Sequence, residues 1–242
     1  MTPILELQDL SFRYEGGLPG EKVLDALTFA VAPGERVGLV GCNGVGKSTL
    51  LKVLVGILPI QAGALTVGGL PMERKNLAEI RRKVGYIFQD SDSQLFMPTV
   101  RADVAFAAEN YGYPPEEVAA RTRRALAAVH MEHCADRPVY RLSGGQKKLA
   151  SIAGILTLDP ALILMDEPSA ALDPRNRRAL IGILNALPCA KLIASHDLDF
   201  IYDTCDRVLL LHHGQLAADG PAREILRDKA LSLIHISEPT RR

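Results

Sequence analysis

The chain has 242 residues, of which 48% are hydrophobic, and its 28 Lys and Arg balance 28 Asp and Glu to a formal net charge of zero. This composition is typical of a compact protein with a sizeable core rather than a disordered or fibrous one. A neutral chain lacks the basic field with which most nucleic-acid-binding proteins collect phosphates, so we expect no nucleic-acid partner. Because no stretch approaches the ~20 consecutive apolar residues that span a bilayer, we expect a cytosolic or peripheral protein.

The first part of the chain predicts antiparallel β-structure. Residues 3–14 and 22–31 alternate apolar and polar side chains, which is typical of strands with one buried face. Gly16-Gly17 and Pro33-Gly34 mark turns at the ends of these segments. We therefore expect an antiparallel β portion at this end of the fold.

A glycine-rich loop follows, between a predicted strand at residues 36–40 and a predicted helix at residues 48–55. Residues 41–48, GCNGVGKS, match the pattern G-x-x-x-x-G-K-[ST]. In such a loop, backbone N–H groups surround phosphate oxygens, the lysine reaches the outer phosphates and the serine hydroxyl can ligate Mg²⁺. The loop predicts nucleotide binding. The alternative is a glycine turn followed by an incidental lysine.

Further short apolar runs predict the strands of a parallel core sheet. They lie at residues 84–88, 162–165, 192–194 and 208–211. The stretches between the last three are long enough for crossover helices, which indicates an α/β fold. Between about residues 90 and 157 helical spacing replaces the strand pattern, at 100–108, 115–129 and 143–156. We expect this region to form an inserted helical subdomain, which together with the sheet makes one folding unit of two lobes.

Polar side chains follow three of the predicted strands. Asp166 and Glu167 end one of them, which places two carboxylates at the C-terminal edge of the sheet beside the phosphate loop. There Asp166 suits Mg²⁺ held through its water shell, and Glu167 suits a general base that polarises an attacking water. His196 and Gln89 end two other strands. A histidine or a glutamine at a strand end is, considered alone, more often a structural or solvated residue. The presence of the phosphate loop favours a functional role for both.

A second glycine-containing helix start lies far from the first along the chain. In residues 142–146, LSGGQ, a serine and two glycines begin a predicted helix and form a second anion cradle. One nucleotide does not need two cradles, so a second one on the other lobe would serve the nucleotide of another copy. The pattern thus predicts a head-to-tail dimer with two shared sites. The alternative is a plain Ser143 N-cap before a glycine turn.

A transition-metal site at residues 130–134, HMEHC, is a weaker interpretation. Its three candidate ligands lie at a predicted helix end, where a solvated face is the more common arrangement, so we leave them out of the candidate site. The cysteines are widely spaced without a C-x-x-C pair, so we expect neither a disulfide framework nor a structural zinc site. They are Cys42, Cys134, Cys189 and Cys205.

With these motifs in this order, residues 3–228 resemble the ATP-binding-cassette ATPases. The matching motifs are Walker A at Gly41–Thr49, the Q-loop glutamine Gln89, the LSGGQ signature at Leu142–Gln146, Walker B with its catalytic glutamate at Leu162–Glu167, the D-loop at Ala170–Asp173 and the switch histidine His196. Tyr14 matches the aromatic residue on which adenine stacks. The resemblance implies a P-loop NTPase core, with a domain at residues 1–230 and its helical subdomain at about 90–157.

The resemblance also implies the residues that hold ATP and Mg²⁺. Those for ATP are Tyr14, Gly41, Asn43, Gly44, Gly46, Lys47, Ser48, Thr49, Ser143, Gly144, Gly145 and Gln146. Those for the Mg²⁺ of MgATP are Ser48, Gln89 and Asp166. Glu167, His196 and Gln89 are the implied catalytic residues.

Within the family, the segment after residue 87 resembles the ATPases of energy-coupling-factor importers, especially those for cobalt and nickel. FQDSDSQLF, PTV and DVAF stand where those ATPases read FQDPDDQLF, PTV and DVAFG. This implies import of cobalt or nickel by ATP-driven dimer closure, with an integral-membrane coupling subunit and a substrate-binding component as partners. It also implies a peripheral location on the cytoplasmic face of the cell membrane and a homodimer or a heterodimer with a related ATPase. A vitamin as cargo and a soluble non-transport ATPase are the alternatives.

Two features depart from the family pattern. Leu149 stands where most relatives carry a basic residue after the signature. Residues 231–242, LSLIHISEPTRR, continue no earlier pattern, and we expect them to lie outside the fold.

Overall fold

Two sheets organise the molecule in the computed structural model, which describes residues 2–16 and 22–228. The strands are β1 (Leu5–Phe12), β2 (Leu24–Val31), β3 (Arg36–Val40), β4 (Ala62–Val67), β5 (Leu70–Pro71), β6 (Val84–Ile87), β7 (Leu162–Asp166), β8 (Ala190–Ala194), β9 (Arg207–His212) and β10 (Gln215–Pro221). The α-helices are α1 (Lys47–Leu54), α2 (Leu77–Lys83), α3 (Val100–Asn110), α4 (Pro115–Ala128), α5 (Gly144–Leu156), α6 (Pro174–Ala186), α7 (Leu198–Thr204) and α8 (Ala222–Ile225).

The larger sheet has the strand order β10-β9-β3-β8-β7-β6. Its strands run parallel from β6 to β9, and β10 adds an antiparallel edge to β9. β6, β7 and β8 are buried along their whole length, because both faces of the sheet are covered, and this explains why their sequences are mostly apolar, with Asp166 at the end of β7 and Lys191 in β8 as the charged exceptions. The predicted parallel core sheet is confirmed, with α6 and α7 as crossover helices.

The smaller sheet, of order β2-β1-β4-β5, is antiparallel, as predicted for the first part of the chain. The pattern missed β4 and β5, since only Leu65 and Val67 of β4 are buried and Gly63 bends the strand at φ +85°. Both predicted turns carry a glycine with positive φ, Gly16 and Gly34, while Gly17 lies outside the described residues. Leu, Val and Phe side chains of this sheet share one apolar core with α1 and one face of the larger sheet.

Between β6 and β7 the chain forms the three predicted helices α3, α4 and α5, which pack on one another as a helical lobe. Val100, Val104, Leu126 and Ile152 meet in the core of this lobe, which continues under the other face of the larger sheet. Leu149, the departure from the family pattern, is half-buried and packs against the same core. Its apolar side chain is therefore accommodated by packing.

The structure describes only part of the chain, and this limits what can be said of its C-terminal boundary and of membrane-spanning helices. Residues 231–242, and the boundary expected at residue 230, lie outside the described residues. In the part of the chain that the structure describes, no helix has the length and apolarity needed to cross a bilayer.

Candidate functional site

The phosphate loop connects the end of β3 to the start of α1. Gly41 and Gly46 have φ values of +154° and +112°, and a Cβ at either position would approach a backbone oxygen, that of Leu211 at 2.4 Å or that of Val23 at 2.9 Å. Only glycine fits such positions. Because no side chain caps α1 at Gly46, its first N–H groups remain available to an anion.

Lys47, the first residue of α1, folds back over this loop. Its side chain is buried, and Nζ donates hydrogen bonds to the carbonyl oxygens of Gly41 at 2.6 Å and Cys42 at 3.1 Å. Burial lowers the pKa of Lys47, and the nearby carboxylates of Glu167 and Asp166 partly offset that effect. The ammonium group is thus held at the loop, facing two acidic side chains.

Ser48 and Asp166 form an oxygen-rich pair beside the loop. The Ser48 hydroxyl donates to Oδ1 of Asp166 at 2.9 Å, joining the start of α1 to the end of β7. Burial raises the pKa of Asp166, and the hydrogen bond from Ser48 opposes that rise. A hydroxyl and a carboxylate are ligand types that Mg²⁺ prefers, so the donor set present here fits that ion.

Glu167 follows β7 in a left-handed backbone conformation, with φ +45°. Its carboxylate accepts hydrogen bonds from the Ser195 hydroxyl at 2.9 Å and from the backbone N–H of His196 at 3.0 Å, and His196 Nδ1 lies 2.9 Å from Oε2. Ser195 is fully buried, whereas the His196 ring is exposed. Three groups at the end of β8 therefore fix one carboxylate.

Sequence reasoning missed Ser195. It directly precedes His196 at the end of β8, and β8 pairs with β7 through Ala194 and Asp166. This register, which the sequence alone does not give, places the Ser195 hydroxyl next to Glu167.

Nine of the predicted residues line one cavity of about 370 Å³. They are Asn43, Gly44, Gly46, Lys47, Ser48, Thr49, Gln89, Glu167 and His196. Gly41 and Asp166 lie next to it through their contacts with Lys47 and Ser48. The Tyr14 hydroxyl lies 3.0 Å from Thr49 Oγ1, and the residue is 46% exposed. The structure thus gathers the predicted phosphate loop, Gln89, the acids and the histidine.

The signature residues lie elsewhere, on the helical lobe. Ser143 is the N-cap of α5: its hydroxyl accepts from the N–H of Gln146 at 3.3 Å, and Gln146 Oε1 accepts from the N–H of Ser143 at 3.0 Å. Gly144 is open to solvent, and a Cβ at Gly145 would lie 2.6 Å from Asn176. None of these four residues lines the cavity of the phosphate loop as described.

A second cavity of about 180 Å³ lies between the larger sheet and the helical lobe, and we call it the interlobe groove. Its lining includes Arg81, Gln94, Phe96, Asp103, Phe106 and Ser151. Phe96 is 64% exposed and stacks edge-to-face on Phe106, with ring centroids 4.7 Å apart. Asp103 accepts from the backbone N–H groups of Phe96 and Met97, which fixes the loop that presents Phe96.

The weaker interpretation of residues 130–134 as a transition-metal site concerns His130, His133 and Cys134. Within residues 2–16 and 22–228, no three His, Cys, Asp or Glu side chains come together in a group that could hold a metal ion. Cys134 is buried and accepts a weak hydrogen bond from Gln146.

Comparison with known proteins places this geometry in a family. Residues 24–170, more than half of the chain, match the family model described as ABC transporter. The chain belongs to the ABC transporter family. It is accordingly an ATP-binding ATPase and a subunit of a transporter, as the motif order predicted.

Three relatives make the resemblance more specific. A protein of Geobacter sulfurreducens named as an ABC transporter ATP-binding protein is 44% identical over 98% of this chain and 94% of its own length. The energy-coupling factor transporter ATP-binding protein EcfA of Methanocaldococcus jannaschii is 41% identical over 93% of this chain and 81% of that protein. The solved structure of cbiO1 from Clostridium perfringens, described as part of the ABC transporter complex cbiONQ, is 33% identical with a TM-score of 0.86, covering 96% of this chain and 94% of that one. The predicted resemblance to energy-coupling-factor and cobalt–nickel importer ATPases is confirmed.

Proposed function

We propose that this ABC ATPase hydrolyses MgATP in the cavity of the phosphate loop and thereby energises import of a transition-metal ion, cobalt or nickel. The observation that carries the proposal is the gathering of the phosphate loop, Gln89, Glu167 and His196 around one cavity. The likeness to cbiO1 and EcfA supports the importer class. The proposed ATPase domain spans residues 1–230, with a helical subdomain at about 90–157.

The proposed roles follow from the positions of the side chains. Lys47 and the N–H groups at the start of α1 bind the outer phosphates, and the exposed Tyr14 ring stacks on adenine. Ser48, Asp166 and Gln89 hold Mg²⁺, which neutralises charge on the phosphates when bound. Glu167 acts as the general base toward water, and His196 contacts the terminal phosphate.

Ser195 gives a test of how Glu167 is oriented. We expect Ser195→Ala to lower kcat about 3- to 10-fold with little change in ATP affinity, because the carboxylate loses a buried donor that fixes its direction. Ser195→Thr keeps the hydroxyl and should retain most of the activity. Steady-state ATPase assays measure both variants.

Thr204→Val is the matched control for Ser195→Ala. It removes a buried hydroxyl that donates to Phe200 O at 2.6 Å, in α7 and away from the cavity lining. A kcat that falls equally in Ser195→Ala and Thr204→Val would contradict a role for Ser195 at the base.

The signature residues act, in this proposal, on the nucleotide of a second cassette. Ser143, Gly144, Gly145 and Gln146 stand at the N-terminus of α5, outside the cavity of their own chain, which supports a head-to-tail dimer with two shared ATP sites. The second cassette is another copy or a related ATPase. ATP would join the two, and hydrolysis would release them.

We expect Gly145→Asp to abolish this ATP-dependent association while leaving ATP binding to the single chain intact. A carboxylate at Gly145 would face the phosphates of the other cassette and would also crowd Asn176. Gly182→Asp, at an exposed glycine of α6 with open space around it, is the control. Light scattering and nucleotide binding of the two variants are the measurements, and dimerisation of Gly145→Asp with ATP would contradict the shared site.

The interlobe groove is the proposed docking place of the integral-membrane coupling subunit, which in turn holds a substrate-binding component. The groove presents the exposed Phe96, and part of its lining belongs to the segment that resembles the cobalt and nickel importer ATPases, namely Gln94, Leu95, Phe96, Asp103 and Phe106. An exposed aromatic side chain in a concave site suits a protein partner. The ATPase would then lie at the cytoplasmic face of the cell membrane as a peripheral subunit.

Reconstitution tests the proposed cargo. The complex assembled with its membrane subunits in proteoliposomes is supplied with internal ATP, and uptake of radioactive cobalt or nickel is compared with uptake of labelled vitamins. ATP-dependent metal uptake supports the proposal. Uptake of a vitamin alone would show that the cargo is a vitamin and not a metal ion. ATP hydrolysis without any uptake would favour a non-transport ATPase.

A further inference from the structure

Lys148, on α5, is a buried lysine for which the mechanism above has no use. Its side chain is only 3% exposed, and Nζ donates to the carbonyl oxygens of Phe88 at 2.8 Å and Gln89 at 2.9 Å. Among the residues that the structure describes, no carboxylate forms an ion pair with it. The ammonium group therefore binds two successive peptide carbonyls directly after β6.

Placing a lysine here is costly. Burial lowers the pKa of Lys148 to about 8, and an apolar side chain of similar volume would avoid that desolvation. What an apolar side chain would not supply is a donor for the carbonyls of Phe88 and Gln89. The position of Lys148 thus points to a need for that connection rather than for packing.

Neighbouring contacts tie the same segment to α5. Lys147 forms an ion pair with Asp92, and Gln94, whose Oε1 accepts from the N–H of Phe88 at 3.2 Å, lies 3.5 Å from the carbonyl oxygen of Ser151. These contacts are made by residues 147–151 of α5, the helix that begins with the signature. Movement of this stretch would carry the segment around Gln89 with it.

We propose that Lys148 is a positioning residue that couples Gln89, in the ATP cavity, to the signature at the start of α5. The inference rests on the proposed function, in which Gln89 lines the ATP site and Ser143 serves the second cassette. Lys148 stands five residues after Ser143, about 7.5 Å along the helix axis, and binds the peptide carbonyl of Gln89 itself. A shift of Gln89 on nucleotide binding would therefore move the signature.

Lys148→Met tests the coupling, since it retains the length of the side chain and removes the donors. We expect kcat for ATP hydrolysis to fall about 10-fold, with the Kd for ATP changed by less than about 2-fold, because binding uses the phosphate loop and turnover needs the signature in place. Lys148→Arg retains donor groups and should recover part of the lost kcat.

Lys191→Met is the matched control. Lys191 is equally buried, and its Nζ also donates to two carbonyls, those of Leu187 at 2.6 Å and Cys189 at 2.8 Å, at the opposite end of β8 from the cavity. A purely structural effect would appear in both variants. We expect Lys191→Met to retain kcat within about 2-fold, with any loss confined to the melting temperature.

Hydrogen exchange on the wild-type chain tests the same coupling without relying on a variant that folds. A non-hydrolysable ATP analogue should change protection in residues 86–94 and in the first turns of α5 together. Change in only one of these segments, or equal kcat in Lys148→Met and Lys191→Met, would overturn the coupling by Lys148. Absence of ATP hydrolysis by the wild-type chain would instead contradict the proposed function.

Discussion

Glu167→Gln is expected to lower kcat for ATP hydrolysis by about 10²- to 10⁴-fold while ATP still binds. Glu167 is buried at the cavity with its carboxylate fixed by Ser195 and His196, so the variant keeps the shape and loses the proton acceptor. Without turnover, the two cassettes should remain joined by ATP. ATPase assays and the mass of the ATP-bound species measure the two effects.

Glu73→Gln is the control for this substitution, since Glu73 forms an exposed ion pair with Lys75 and does not line the cavity. Its kcat should equal that of the wild type. Unaltered turnover in Glu167→Gln would show that another group activates the water and that Glu167 is not the general base.

Lys47→Ala is expected to raise the Kd for ATP by about 10²-fold, because charge-assisted hydrogen bonds contribute roughly 1.5–3 kcal/mol each and Lys47 would make more than one to the phosphates. In the structure described, Nζ bonds instead to the carbonyls of Gly41 and Cys42. Because the ammonium group has three N–H donors, it must release at least one of these two carbonyls to make two bonds to the phosphates. Titration calorimetry with a non-hydrolysable analogue gives the change.

Lys52→Ala, one turn further along α1, is the matched control, because it removes a lysine from the same helix outside the cavity lining. Its Kd should stay within about 2-fold of the wild type, because the half-buried Lys52 does not line the cavity and acts on the site only through its electrostatic interaction with Asp166. An equal loss of affinity in both variants would point to damage to α1 rather than to a phosphate contact by Lys47.

The phosphate loop was predictable because its chemistry is local. Residues 41–48 carry the glycines, the lysine and the serine in one continuous segment, between a strand and a helix that the pattern also identified. Gln89, Glu167 and His196 needed one further rule. They follow adjacent parallel strands, paired Ile87 with Met165 and Asp166 with Ala194, so their side chains meet at one sheet edge.

Other features depend on contacts that no local pattern carries. β10 contains Gly220 and Pro221, has exposed alternating residues, and is a strand because it pairs with β9. The hydroxyl of Ser195 and the ammonium group of Lys148 acquire their partners only when β8 meets β7 and α5 meets the end of β6. Sequence patterns locate such residues on their elements and leave their partners open.

The proposed role at a membrane is tested most directly by affinity purification of the tagged Glu167→Gln chain from detergent-solubilised native membranes in the presence of ATP, followed by mass spectrometry. We expect recovery of a second cassette, this chain or a related ATPase, together with an integral-membrane coupling subunit. Lys47→Ala, treated identically, should recover less of the second cassette. Recovery of only soluble partners, or of ribosomes, would contradict the transport function but not the proposed ATPase chemistry.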